Sequence, residues 1–295
     1  DPGTYTTTVT NPTNGCTTLL SIDVGENIQA PTVQIAPPAL LTCTDSVITL
    51  TASSNATAVQ WSTSGGGHFT TPFLQQNAVT VNSPGTYQII ATTLSNGCTS
   101  TASVTVSQDI VAPTVDAGNN GTLSCLTTSL SLSGAATAGT QVQWTTGNGT
   151  IFSGAQTLTP VITTPGIYTI TGTNPTNGCK SSDQVTIAND AGAPAAAILA
   201  PAQLTCTTTQ LTLNGQGSSQ GTQVQYNWQA SNGGTIFSGA NTLTPVISAA
   251  GTYSLTVTNL VNGCTATAST TVILNNQVPL VNAGPTATIT CQNTT

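Results

Sequence analysis

Eight cysteines are the residues of this 295-residue chain best suited to chemistry, and they fall into two series of four. Cys16, Cys98, Cys179 and Cys264 each close an Asn-Gly-Cys phrase, while Cys43, Cys125, Cys206 and Cys291 close Leu-Thr-Cys, Leu-Ser-Cys, Leu-Thr-Cys and Ile-Thr-Cys. Thiols can bind a metal, attack a substrate or oxidise in pairs. A metal cage needs Cys-x-x-Cys clusters or neighbouring histidines, and the chain has neither, its one histidine being His68. An even count without such clusters points to disulfides in an oxidising, extracellular setting.

The other reactive side chains form no recurring set. His68 stands in a Gly-Gly-Gly-His-Phe stretch found once, so it reads as a solvated side chain, and no Ser-His-Asp or Cys-His constellation can be assembled. The eight acids are scattered, which leaves no repeated carboxylate pair for hydrolysis. Asp23, Glu26, Asp109, Asp116 and Asp190 lie near expected module joints, which raises calcium there as a weak alternative to having no cofactor at all. The acids keep no register, and Asn275-Asn276 stands at the last joint, whereas a hard cation wants several oxygen ligands gathered together. The single Lys180 excludes repeated Lys-Asn isopeptide bonds. Asn55, Asn148 and Asn293 open Asn-x-Thr sequons, which a Thr-rich chain produces by chance. These absences argue against an enzyme.

Charge narrows the partners. Only 3% of residues are charged and one is Lys or Arg, for a net charge of -7. Nucleic-acid binding releases phosphate counterions through Lys and Arg, and anionic membranes attract the same residues, so neither is an expected partner. No run reaches the ~18 apolar residues of a membrane span, and no signal segment opens the chain. It begins without Met and in the middle of a repeat, as a piece of a longer polypeptide would.

Both cysteine series advance by 82, 81 and 85 residues, the mark of tandem modules. Trp61, Trp144 and Trp228 follow the second series, and Tyr5, Tyr87, Tyr168 and Tyr253 each stand 11 residues before an Asn-Gly-Cys cysteine. A turn signal, Pro-Gly or Ala-Gly, precedes each Tyr. Apolar residues recur at every second position, as Tyr253, Leu255 and Val257 do in TYSLTV, so the elements are strands with one buried face. The spacing predicts strands near 113–117, 122–133, 140–146, 150–153, 156–162, 166–173 and 179–188 in the second module. The fold class is all-β: tandem immunoglobulin-like antiparallel β-sandwiches with a Trp on the third strand and a Tyr opening the sixth. Expected bounds are 1–28 for the last two strands of one module, 29–110, 111–191 and 192–277 for three whole modules, and 278–295 for the start of another. TNPTNGC then reads as the turn between the last two strands, with Asn-Gly supplying positive φ. Trp61, Trp144, Trp228, Tyr87, Tyr168 and Tyr253 are expected in the core; exposed Trp platforms for stacking on sugars are the lesser reading.

The phrases Gly251–Asn259, Asn262–Thr270 and Leu204–Leu213 resemble the Ig/PKD-like repeats of very large Bacteroidota surface proteins, among them gliding-motility adhesins exported by the type IX system. That resemblance implies a cell-surface location and says little about a ligand. Asp45-Ser46-Val47 likewise resembles the O-glycosylation motif of that group, with Ser46 as acceptor.

Three cysteine pairings stay open. An end-to-end stack of modules favours Cys43 with Cys179 and Cys125 with Cys264. Pairing within modules would join Cys43 with Cys98, Cys125 with Cys179 and Cys206 with Cys264, but it must bring opposite poles of a sandwich within the roughly 4.4–6.8 Å between Cα atoms that a disulfide tolerates. Pairing across linkers would join 16 with 43, 98 with 125, 179 with 206 and 264 with 291, each 27 residues apart. The function expected is the stalk or filament part of a secreted adhesin, partnered by neighbouring modules of the same chain or by identical chains in a filament. The alternative is a module that grips a surface glycan or protein through variable loops such as 65–72.

Overall fold

The computed structural model describes residues 1–72 and 74–286; the expected Cys291 and Asn293, and with them half of the segment 278–295, lie outside the described residues. Every helix or strand among the described residues is a strand, as a chain rich in Thr and Val favours. The chain gathers into two compact units, residues 1–116, 135–143 and 170–183 in one and residues 117–134, 144–169 and 184–295 in the other.

In the first unit, alternation along Ile48–Ser54 buries Ile48, Leu50 and Ala52 and turns Thr49, Thr51 and Ser53 outward. This strand pairs antiparallel with Val33–Ile35 and with Ala78–Val81. A second sheet is ordered Ala58–Ser64, Gly85–Thr92, Thr99–Val106, also antiparallel. Leu50, Trp61, Val81, Tyr87, Ile89 and Val106 fill the space between them. Leu41–Thr42 leaves the first sheet and runs parallel to Gln108–Asp109. Two such sheets over one apolar layer make an immunoglobulin-like sandwich.

The second unit repeats the plan. Leu211–Thr212, Val246–Ile247 and Ile236–Ser238 form one sheet, and Val224–Ser231, Gly251–Asn259 and Thr265–Val272 the other. Leu213, Trp228, Ile247, Tyr253, Leu255 and Val257 lie between, and Leu204–Thr205 runs parallel to Leu274–Asn275. Of the expected middle module, Val115–Asp116 pairs with Ala135–Ala136 within the first unit. Within the second unit, Gly121–Ser124 runs parallel to residues 187–190 and Leu130–Ser131 pairs with Val161–Ile162.

Trp61, Trp144 and Trp228 are 1, 1 and 3% exposed. Their indole N–H groups donate to the carbonyls of Gln76, Thr157 and Thr242, so no ring face is offered to a sugar. Tyr87, Tyr168 and Tyr253 are wholly buried, and their hydroxyls donate to the carbonyls of Ser83, Thr164 and Ala249, four residues upstream in each case. This is the tyrosine corner of immunoglobulin-like sandwiches. Tyr5, in the hairpin Gly3–Thr10 and Thr17–Val24, makes the same bond to Asp1 but is 51% exposed.

Two local expectations fail. The single strand placed at 122–133 is broken into Gly121–Ser124 and Leu130–Ser131, because the Ser124 hydroxyl accepts from the N–H groups of Leu126 and Thr127 and turns the chain. The strand placed at 156–162 shrinks to Val161–Ile162, while Ala135–Ala136 pairs where none was expected.

The corner yields a measurable cost. Tyr87→Phe removes the bond to Ser83 and the acceptor for the His68 N–H, and should destabilise the first sandwich by about 1–3 kcal/mol. The urea midpoint of the reduced protein should fall accordingly. Tyr5→Phe, on the exposed hairpin, should change stability by less than about 0.5 kcal/mol.

Candidate functional site: the cysteine joints

Each Asn-Gly-Cys phrase ends a loop of fixed form. In Asn174–Cys179 the N–H of Asn174 donates to the Cys179 carbonyl at 2.9 Å and that of Gly178 to the Asn174 carbonyl at 2.8 Å. The loops ending at Cys16, Cys98 and Cys264 repeat both bonds. The expectation that Asn and Gly both take positive φ is corrected. Only the glycines do, at 70° to 71° for Gly15, Gly97, Gly178 and Gly263, because this loop is longer than a two-residue Asn-Gly turn, which would demand positive φ of both residues.

The asparagine works through its side chain. Asn177 is 1% exposed; its Oδ1 accepts from the Cys179 N–H at 2.9 Å, and its Nδ2 donates to Asp109 Oδ1 at 2.9 Å and to the Val111 carbonyl at 3.0 Å. Asn262 holds Asp190 and Gly192 in the same way, both at 3.0 Å. Asn96 holds Asn27 and Gln29, also at 3.0 Å. One amide thus fixes both the cysteine and the linker leading into its own sandwich.

The second series sits on a compact turn. Thr42 N–H donates to the Asp45 carbonyl and its hydroxyl accepts from the Asp45 N–H; Thr205 and Ser124 build the same kind of turn with Thr208 and Thr127. The two series meet. Cys43 is bonded to Cys179 and Cys125 to Cys264, each with Cα atoms 5.0 Å apart. Backbone bonds flank each bridge: Cys43 N–H to the Asn177 carbonyl, and Leu126 N–H to the Asn262 carbonyl, both at 3.1 Å. A Cβ on Gly178 would lie 2.3 Å from Thr44 Cγ2, and one on Gly263 2.2 Å from Leu126 Cγ, so glycine here serves close approach as well as φ.

The within-module pairings are not formed. Register explains the first: Thr99 pairs with Thr92 beside Cys98, and the strand then runs to Val106 before Asp109 reaches Thr42. Eight residues of strand span about 26 Å, far beyond a disulfide. Cys125 with Cys179 and Cys206 with Cys264 are excluded because Cys125, Cys179 and Cys264 are already bonded, as are the across-linker pairs by the same four bonded cysteines. Cys16, Cys98 and Cys206 carry free thiols.

The remaining candidates do not converge. Asp109 and Asp190, considered for calcium, accept bonds from Asn177 and Asn262, and Asp23 accepts from the Thr4 hydroxyl. Among the described residues no three His, Cys, Asp or Glu side chains gather to hold a metal. His68 is exposed and its Nδ1 lies 3.0 Å from Asn82 Oδ1. Ser46 is exposed at the end of the Cys43 turn.

No protein-family profile and no curated protein matches the sequence. Among solved structures the chain is similar to Sidekick-1 immunoglobulin domains 1–5, at 16% identity over 94% of this chain and 67% of that one, with a TM-score of 0.29. It is similar to the N-terminal eight Ig domains of Down Syndrome Cell Adhesion Molecule at 14% over 94% and 40%, with a TM-score of 0.31. The I-band fragment I67–I69 from titin follows at 13% over 84% and 100%, with a TM-score of 0.33. Two of the three are described as immunoglobulin-domain chains. The fold assignment rests on the strand order, register and tyrosine corners above.

What sequence reading missed was the asparagine clamp. Its signal was present: Asn27, Asp109, Asp190 and Asn275 keep the cysteine period, so an amide or carboxylate recurs 16 residues before each cysteine of the second series.

Two variants test the joint. Asn177→Asp sets a second carboxylate against Asp109 and should cost about 1.5–3 kcal/mol. Dithiothreitol should then open Cys43–Cys179 about tenfold faster, with Cys125–Cys264 unchanged in the same alkylation and mass-spectrometric assay. Adding Asp109→Asn should recover part of the loss. Gly178→Ala should lower the yield of Cys43–Cys179 on oxidative refolding, whereas Gly97→Ala, whose Cβ meets nothing within 4 Å, should cost only the left-handed strain of about 1–2 kcal/mol.

Proposed function

We propose that this chain is a load-bearing stalk or filament region of a secreted bacterial cell-surface adhesin. One observation carries the reading: a single joint, made of an Asn-Gly-Cys loop, a clamped linker and a Cys-bearing turn, is built twice with the same disulfide and clamp positions and the same 5.0 Å Cα separation. Binding proteins vary the loops that meet their ligand. A repeated, covalently closed joint instead serves the chain itself.

Several properties support the reading. Disulfides belong to oxidising compartments. The near absence of Lys and Arg leaves few sites for trypsin-like proteases. The resemblance to Bacteroidota surface repeats supports a cell-surface location, type IX export and a part in gliding. Neighbouring modules are the proposed partners, with identical chains in a filament as a further one.

Small-angle scattering and negative-stain imaging of the oxidised chain test the proposal. The expected result is a particle one sandwich wide that elongates in proportion when modules are added, with no signal on a glycan array. A compact particle, or a glycan signal retained by the isolated segment 29–110 and lost on changing loop 65–72, would replace the stalk with a binding module.

A further inference from the structure

The two bridges interleave. Cys43–Cys179 closes residues 44–178 into a loop and Cys125–Cys264 closes 126–263, with separations of 136 and 139 residues. A covalent route therefore exists that avoids most of the backbone. From Cys16 it follows 27 residues to Cys43, crosses the sulfurs to Cys179 and follows 27 more to Cys206. A second route runs from Cys98 over 27 residues to Cys125, across to Cys264, and onward. The constant 27-residue interval is the stretch between the bridge a segment receives and the cysteine it next presents.

The two routes also touch each other, always in parallel register and always just before a cysteine of the second series. Leu41 and Thr42 on the first route pair with Gln108 and Asp109 on the second. Residues 121–124 on the second pair with 187–190 on the first. Leu204 and Thr205 on the first pair with Leu274 and Asn275 on the second. The large aromatic core residues lie elsewhere: Trp61, Tyr87, Trp144, Tyr168, Trp228 and Tyr253 all fall inside one or both closed loops, off the routes, while the smaller core residues Leu41, Val106, Leu204 and Val272 lie on them.

We infer that tension along the chain runs through two zipped covalent tracks, made of the 27-residue segments and the disulfides, which shield the rest of each sandwich from load. The inference rests on the load-bearing reading above. Where a sandwich without bridges lengthens only by unfolding, a bridged one has no slack to give: its large aromatic core residues hang beside the load path. The core then sets the shape and spacing of the joints, and the tracks set the strength.

The test uses the protein's own free thiols. A chain carrying Cys98→Ser and Cys291→Ser is tethered by maleimide handles at Cys16 and Cys206 and stretched in optical tweezers, both bridges having been verified by mass spectrometry. At about 3.4 Å per residue, the oxidised chain should stop extending near ~190 Å and the phosphine-reduced chain near ~650 Å, about 3.4-fold further. Cys43→Ser with Cys179→Ser, which keeps the other bridge and leaves no extra thiol for the handles, should reach about 570 Å. Trp61→Ala should lower the unfolding force of the reduced chain and leave the oxidised trace unchanged; Ile89→Val, a milder change in the same core, should behave alike if Trp61→Ala does not fold. An oxidised chain that extends past ~300 Å, or whose trace shifts with either core variant, overturns the tracks. Such a failure leaves the stalk standing, since that reading is judged by the width and growth of the unstretched particle.

Discussion

A carboxamide held between a loop and a linker is the constraint from which the joints follow. Burying Asn177 and Asn262 at a joint requires every polar atom of the amide to find a partner, since an unpaired buried amide is costly. Oxygen takes the cysteine N–H and nitrogen takes one side-chain oxygen and one backbone carbonyl of the linker. Once those three bonds form, the path of the linker, the tilt of the loop and the direction of the cysteine are no longer independent. Asn27 in place of Asp109 satisfies the same geometry without a charge, so shape and hydrogen bonding, more than ion pairing, define the contact.

This explains how a chain with 3% charged residues keeps order between modules. Salt bridges on exposed surfaces contribute little and weaken with salt. Amides and hydroxyls replace them here, in the Asn clamp, the Ser and Thr turns under the second cysteine series, and the Thr114–Thr137 pair beside Pro113. None of these contacts is an ion pair.

The sequence made the architecture legible where a single physical rule governed it. Period-two alternation placed the strand Gly251–Asn259, because one face of it meets a core. The Tyr spacing was readable because the corner bond is local, only four residues long. The break at Cys125 was missed, although the apolar alternation changes phase there, between Leu123 and the pair Leu130 and Leu132, where the Ser124 hydroxyl turns the chain. The joint was legible in part. Cysteine reach could be argued from strand length, but the clamp depends on Asn96, Asn177 and Asn262 meeting residues 66 to 72 positions away in sequence, and no local pattern reports so distant a partner. Length variation carries a further hint. The period changes from 81 to 85 while the 27-residue linker segments stay constant, so insertions fall within the sandwiches and never in the joints.

The burial of one sulfur in each bridge bears on durability. Cys179 and Cys264 are each 1% exposed, whereas Cys43 and Cys125 reach solvent. An incoming thiolate must therefore strike the outer sulfur and expel the inner one as an anion into a buried site. Desolvation makes that anion a poor leaving group, so the chain resists reductants by withholding solvation from the departing sulfur as well as by hiding it.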